Sequence, residues 1–558
     1  MSTLLWSCDF LDYTEQDYYQ QEDIFFYNDR ATNVLNNIYS YLPSDLNGAN
    51  LGIDGAMRSS ASDDAVDVWD ISDIQKFNDG SWNSVVVLDN VWNNMYSAIR
   101  TANVFIKEGT GLTFPEIKWN EGYADFMKAY KLYTYEARFL RAFYYFELIK
   151  RYNNVPLDTT VLTTEEANKM TPASFDDIVK FISRECDSAA AKLPATFSTF
   201  ISKQTGRATQ GAAMALKART LLYAASPLHN PSNDQSKWIA AAKASKDLMD
   251  ALGTQYTTGG GLGDAYTAVT NSLSSKELIF ERRRADDRSF EEANTARGFQ
   301  GGNTGTCPTQ NLVDAYEMKA NGLGINESGS GYNAANPYTG RDPRMTMTIL
   351  YNGVEWKSPS TGPKQYVQTY YGGINGAPTP YTTKTGYYLK KYMVESISLD
   401  PTKLGTALHV WVLFRYAEVL LNYAEAMNEA YGPDAVATGN LNMTARAAVN
   451  IVRDRTGVKM PAFPLGMTQA AFRDKLRNER RVELAFEDHR FWDLRRWKIG
   501  PSTTTIRGMD LTKDQNTSVI TYTPKTVENR VWDDKMYLYP IPQTEVFINS
   551  KLGQNPGW

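Results

Sequence analysis

RNERRVELAFEDHRFWDLRRWK, from Arg477 to Lys498, and YLYPIPQTEVFINSKLGQNPGW, from Tyr537 to Trp558, are the stretches whose reading decides how this 558-residue chain folds. In the first, Arg480, Arg481, Arg490, Arg495 and Arg496 alternate with Glu479, Glu483, Glu487, Asp488 and Asp493. Most of these charges find an opposite partner three or four residues along a helix, so the cluster nearly neutralises itself. Val482, Ala485 and Phe486 fall where such a helix can be buried. Arginines matched with carboxylates join helices firmly. The phrase therefore reads as scaffold, with Phe491, Trp492 and Trp497 in the core, and not as a nucleic-acid patch.

Helical spacing extends through both ends of the chain. Tyr130, Tyr133, Ala137, Leu140, Tyr144 and Leu148 recur every three or four residues, which predicts one long helix over Tyr123–Arg151, stopped by Asn153, Asn154 and Pro156. Further helices are predicted near Ile24–Leu42, Val85–Lys107, Phe175–Lys192, Thr209–Ala225, Trp238–Leu252, Val412–Tyr431, Leu441–Arg455 and Gln469–Glu487. Small residues line two of them: Ala215, Ala218, Ala224 and Ala225 before Pro227, and Ala417, Ala424, Ala426 and Ala430 before Pro433. Such seams let a partner helix approach closely, as in tetratricopeptide-like arrays. No strict 34-residue period is present, so pattern alone leaves an irregular helical bundle open as well.

Between the two helical blocks, Gly253 to about His409 is rich in Gly, Pro, Asn, Thr and Tyr, with β-like runs at Glu277–Arg283 and Met345–Tyr351. Composition adds exclusions. A formal charge of -5 provides no field to gather phosphate backbones. Histidine occurs only at His229, His409 and His489, against 34 Tyr, 23 Phe and 12 Trp, so stacking surface is plentiful and general bases are scarce. Cys8, Cys186 and Cys307 form no C-x-x-C pair, and no metal-ligand spacing or cofactor motif is present. No window approaches the roughly 20 apolar residues of a membrane span.

Four phrases carry a resemblance. EARFLRAFYYFELIKRYNNVPL (Glu136–Leu157), GRATQGAAMALKARTLLYAASP (Gly206–Pro227), FRYAEVLLNYAEAMNEA (Phe414–Ala430) and the C-terminal pair, with PTQNLVDAYEM (Pro308–Met318) and DPRM (Asp342–Met345) between them, together resemble the SusD/RagB family of outer-membrane nutrient-binding lipoproteins. The resemblance implies a mostly α fold: a scaffold of tetratricopeptide-like helix pairs with a long, loop-rich insert containing short β-strands. It implies a lipid anchor, and Leu5-Trp6-Ser7 before Cys8 resembles the end of a bacterial lipoprotein signal. It further implies a place on the cell surface, oligosaccharide as ligand, and a SusC-type TonB-dependent transporter as partner. The expected organisation is residues 1–8 as the remnant of that signal with its lipidation cysteine, then one domain over 9–558. Its scaffold lies mainly in 20–252 and 410–498, and its variable insert in 253–409.

Sugar rings are held by flat aromatic faces with amides and carboxylates beside them, which calls for Trp or Tyr in polar loops. Two stretches have that character, and the family's ligand surface, built from an early loop and the variable middle, points to the same two. Ser59–Asn83 contributes the candidates Asp64, Asp67, Trp69, Trp82 and Asn83; Trp69 and Trp82 either stack on a ligand or anchor that loop to the scaffold, and both readings stay open here. Arg284–Tyr392 contributes Asn303, Cys307, Tyr338, Trp356, Tyr366 and Tyr370. Trp92 and Tyr96, four apart on a helix, are assigned to core, and Tyr387, Tyr388 and Tyr392 to strands. Cys307 has no histidine placed to activate it, so it reads as a loop residue lining the ligand site. A glycoside hydrolase needs only two carboxylates and is one alternative function; a helical-repeat adaptor that binds peptide is the other. The chain lacks an H-E-x-x-H run and a G-x-S-x-G elbow.

Overall fold

The computed structural model describes residues 21–46, 56–198, 206–258, 275–283, 286–356 and 365–558. Cys8 lies outside the described residues. The scaffold helices are α1 (Asn28–Ser40), α2 (Trp92–Glu108), α3 (Tyr123–Tyr152), α4 (Phe175–Ala190), α5 (Gln210–Ala225), α6 (Gln235–Leu252), α7 (Tyr416–Tyr431), α8 (Ala445–Arg453), α9 (Gln469–Glu483) and α10 (Arg490–Arg496). Their starts follow from local chemistry. Ser174, Thr209, Asp234, Thr444 and Thr468 each precede a helix and accept a hydrogen bond from a backbone N–H of its first turn, satisfying a donor that the helix leaves free.

Packing runs in chain order: α1 on α2, α2 on α3, α3 on α4, α4 on α5, α5 on α6, α6 on α7, and α7 on α8 and α9. The mostly helical architecture read from the sequence is thus the observed one. Both alanine seams are buried, which is what lets α5, α6 and α7 approach one another across the segment that separates α6 from α7. α3 is apolar on one side at its start and buried all round from Phe139 to Tyr152, the pattern of a central helix. Its Phe139 and Phe143 pack on Phe280, and Phe143 also on Phe414.

The strands are β1 (Ala65–Asp67), β2 (Leu278–Arg283), β3 (Thr306–Pro308), β4 (Val410–Arg415), β5 (Thr505–Lys513) and β6 (Ile520–Asn529), with two-residue pairs at Val155–Pro156 with Pro172–Ala173 and Ile349–Leu350 with Tyr388–Leu389. Each sheet among the described residues has two antiparallel strands: β1 with β3, β2 with β4, β5 with β6, and the two short pairs. Several predicted boundaries move. Val412–Tyr431 begins as strand, because VWVLFR is buried at all six positions and pairs with β2 before α7 starts. Met345–Tyr351 begins instead as the end of a short helix, Pro343–Thr348. Asp342 caps it and Pro343 occupies its first turn, where a missing N–H costs nothing. The helix predicted from Val85 starts only at Trp92.

The charged C-terminal phrase is scaffold, but its pairing is tertiary more than local. Arg481 reaches Asp64, Arg490 reaches Asp63, Glu479 and Glu483 hold Arg344, and Glu483 also holds Arg415 and Arg455. Arg496 takes Glu425 across the fold and Asp493 within its own helix. Val482, Ala485, Phe486, Phe491, Trp492 and Trp497 are buried.

Candidate functional site

β1 and β3 bring the two candidate stretches together, with Ala65 opposite Pro308, Val66 opposite Cys307 and Asp67 opposite Thr306. The chain leaves β1 through Val68, whose N–H donates to Gly305 O, and turns at Trp69. The turn is held by Asp67: its Oδ1 accepts from Trp69 N at 3.3 Å, an Asx-type bond that shapes loops. Trp69 O accepts from Ser72 N and from Gln75 Nε2, so both sides of its peptide are fixed. The Asp67 carboxyl is buried, and burial pushes it up to about 6.

Against the Trp69 indole lies the ring of Tyr381, with centroids 4.5 Å apart and planes at 30°. Tyr381 is 52% exposed and belongs to the tight turn Thr379–Thr382. Lys384 closes the arrangement: its Nζ donates to Asp70 Oδ1 at 2.5 Å and to Asp67 O at 3.1 Å. Asn303 is exposed at the same edge and donates to Glu292 O, while the next residue, Thr304, donates its hydroxyl to Tyr381 O. A second turn carries Tyr370, Tyr371 and Ile374. Tyr388 lies beneath both turns, its hydroxyl donating to Asn375 O at 2.6 Å and accepting from Thr383 N at 3.1 Å. The result is a rim of half-buried Trp69 with exposed Ile71, Tyr371, Ile374 and Tyr381, interleaved with exposed Asp70 and Asn303 and half-buried Lys384.

Several sequence candidates sit elsewhere. Asp64 is buried and paired with Arg481 at 2.6 Å, so it joins the early loop to α9 and offers nothing to a ligand. Trp82 is 1% exposed and meets Phe77, Tyr539 and Trp558 edge to face; anchoring, the alternative reading, is where it stands. Asn83 is exposed, but its Oδ1 accepts from Val85 N and Val86 N and shapes that turn. Cys307 is fully buried behind β1, and burial pushes its thiol up to about 11, so it lines no accessible site. Trp356 is fully buried. Tyr338 packs its ring against Tyr351, tilted by 33°, and points its hydroxyl at Tyr387, an anchoring position. Tyr366 is exposed, and Tyr370 is half-buried under Lys513 with its hydroxyl on Gln368.

This architecture has known counterparts. The sequence profile of the SusD family matches residues 276–558, just over half of the chain. The chain belongs to the SusD family. A second profile, described as starch-binding associating with outer membrane, matches residues 9–222. SusD-like protein P25 of Formosa agariphila is 24% identical over 493 residues, 83% of this chain and 78% of that protein. Among solved structures, a SusD-like protein of Bacteroides fragilis is 27% identical with a TM-score of 0.77 over 96% of this chain and 98% of its own. A SusD-like carbohydrate-binding protein of the same species is 28% identical with a TM-score of 0.73, covering 95% and 99%. No described helix is long and apolar enough to cross a membrane.

In this SusD family chain, Tyr381 and Lys384 were not among the residues picked out from the sequence. The signal was present in P-T-P-Y-T-T-K, a tyrosine flanked by Pro and Thr in a turn-rich segment, where a side chain has no strand or helix face to hide against.

Proposed function

We propose that this protein captures an oligosaccharide at the Trp69–Tyr381 rim and passes it, chemically unchanged, to a SusC-type TonB-dependent transporter in the outer membrane. In this reading a lipid on Cys8 holds the protein at the cell surface. The carrying observation is that the two aromatic-polar stretches converge on one exposed patch with stacked rings flanked by Asp70, Lys384 and Asn303. An aromatic face covers the C–H side of a pyranose, and the carboxylate, ammonium and amide groups exchange hydrogen bonds with its hydroxyls. Family membership, the outer-membrane description of the N-terminal match and the carbohydrate-binding relative all support this reading.

The test is calorimetry against a panel of glycans, with Trp69→Ala beside the parent. Loss of about tenfold in Kd, the size of one stacking contact, is expected for the variant. Reducing ends released by the parent would establish a hydrolase instead, and equal affinity in both proteins would move the site elsewhere. The anchor is tested separately: Cys8→Ala in the full-length gene is expected to leave the outer-membrane fraction, and its retention there refutes the anchor. Recovery of a transporter from detergent-solubilised outer membranes with a tagged parent, and its absence from the catch, decide the partner.

A further inference from the structure

Trp69 is half-buried, and one face of its indole is covered by the ring of Tyr381. Two rings with centroids 4.5 Å apart leave no room for a third between them, since a sandwiched ring needs roughly 3.5–4 Å of van der Waals spacing on each side. Tyr381 therefore stands where a sugar ring stacked on that face of Trp69 has to be.

Little holds the tyrosine side chain there. No described protein group hydrogen-bonds its hydroxyl; its backbone is held instead, the Tyr381 carbonyl accepting from Thr304 Oγ1 at 2.6 Å. The adjoining turn is closed by Thr382 on Thr379 O. The residue also has φ +60°, a left-handed conformation that bulky side chains avoid and that persists only where surrounding contacts impose it. Pinned backbone and loosely held ring together make a side chain that can rotate off the indole while the loop stays in place.

We propose that Tyr381 is a displaceable cap on Trp69. In the free protein it shields the apolar face of the indole; on binding, the sugar takes that face and the phenol swings outward. This inference rests on the assignment of Trp69 as the stacking residue. It adds a threshold: a ligand has to replace the ring contact it breaks, which a saccharide does by combining stacking with hydrogen bonds to Asp70 and Lys384. Apparent affinity is the intrinsic affinity scaled by the uncapped fraction.

Two measurements on Tyr381→Ala and Tyr381→Phe test the cap. Acrylamide quenching of tryptophan emission, taken as the difference from a Trp69→Phe background, needs no ligand. Tyr381→Ala is expected to raise the quenching of Trp69 severalfold and Tyr381→Phe to leave it unchanged; equal quenching in all three proteins overturns the cap. With a glycan that binds the parent, Tyr381→Ala is expected to bind about fivefold tighter, the reciprocal of the open fraction that one aromatic contact leaves. Equal or weaker binding by Tyr381→Ala overturns the cap and makes Tyr381 a binding platform. Trp69→Ala separates the two ideas: if it binds like the parent, the stacking site itself falls and the cap with it, whereas if it loses affinity the site stands whatever Tyr381 does.

Discussion

Arg490 grips both oxygens of the Asp63 carboxylate, Nε to Oδ1 at 2.7 Å and Nη2 to Oδ2 at 2.9 Å, across 427 positions of chain. Arg481 reaches the same carboxylate at 3.0 Å. Burial works to raise the Asp63 carboxyl, and the two guanidinium groups outweigh it, holding it below the ordinary carboxylate range. Asp63 lies two residues before β1, so this bolt ties the loop that presents Trp69 to α9 and α10. Asp63→Asn leaves the largely buried Arg490 short of its counter-charge and Arg481 with Asp64 alone. The expected cost is about 3–5 kcal/mol, read as a lower urea midpoint. A midpoint equal to the parent's contradicts the assignment of this pair as structural.

Acid should unfold the scaffold through its buried carboxylates. Burial raises Glu147 and Glu425, but Lys150 with Arg151, and Arg496 respectively, overcome it and bring each to about 2. A folded pKa below the unfolded one means stability that is complete above the unfolded value, about 4.3, and lost as pH falls from there toward 2. Each group contributes on the order of 3 kcal/mol to that loss. These two groups are expected to contribute no change in melting temperature between pH 7 and pH 5 and to lower it steeply below that. Glu425→Gln is expected to flatten part of this slope; a variant with the parent's full slope removes Glu425 from the account.

How much of this was legible beforehand depended on the range over which each signal acts. Helices were readable because spacing is local: the α3 pattern needs only a few neighbours at a time. Charge pairing was readable in kind but not in address, since Glu483 could have met Arg480 one turn away and instead meets Arg344, Arg415 and Arg455 from three other segments. The site was readable as two regions and not as residues. Trp69 and Trp82 have similar local contexts, yet one stands half-buried in the turn after β1 against Tyr381 and the other meets Trp558 from the far end of the chain. No window of sequence contains that distinction. Asp64 was misread for the same reason, its partner Arg481 being 417 positions away.

Asp67 should titrate in the opposite sense to the scaffold glutamates. Burial raises its carboxyl to about 6, above the unfolded value near 3.8, so the folded state favours the neutral acid and stability declines as pH rises from about 4 to 6. Asn keeps an acceptor for Trp69 N–H and cannot ionise. Asp67→Asn is therefore expected to be more stable than the parent at pH 7 by about 3 kcal/mol, with the difference vanishing below pH 4. A variant less stable at pH 7 would mean that the charge is compensated there, Lys384 being the nearest candidate.

Trp82 and Trp69 should separate stability from binding. Trp82 fills a core shared with Phe77, Tyr539 and Trp558, and its removal leaves a cavity that these rings cannot close without moving. Trp82→Ala is expected to cost about 3–5 kcal/mol of folding stability. At a temperature where it remains folded, its glycan affinity should match the parent's. Trp69→Ala should do the reverse, since its indole contributes one exposed stacking contact and little core volume: a midpoint within about 1 kcal/mol of the parent and a Kd raised about tenfold. Urea titration and calorimetry on the same two preparations decide the matter. If Trp82→Ala weakens binding while folded and Trp69→Ala does not, the ligand lies against the C-terminal core and the rim at Trp69 is only surface.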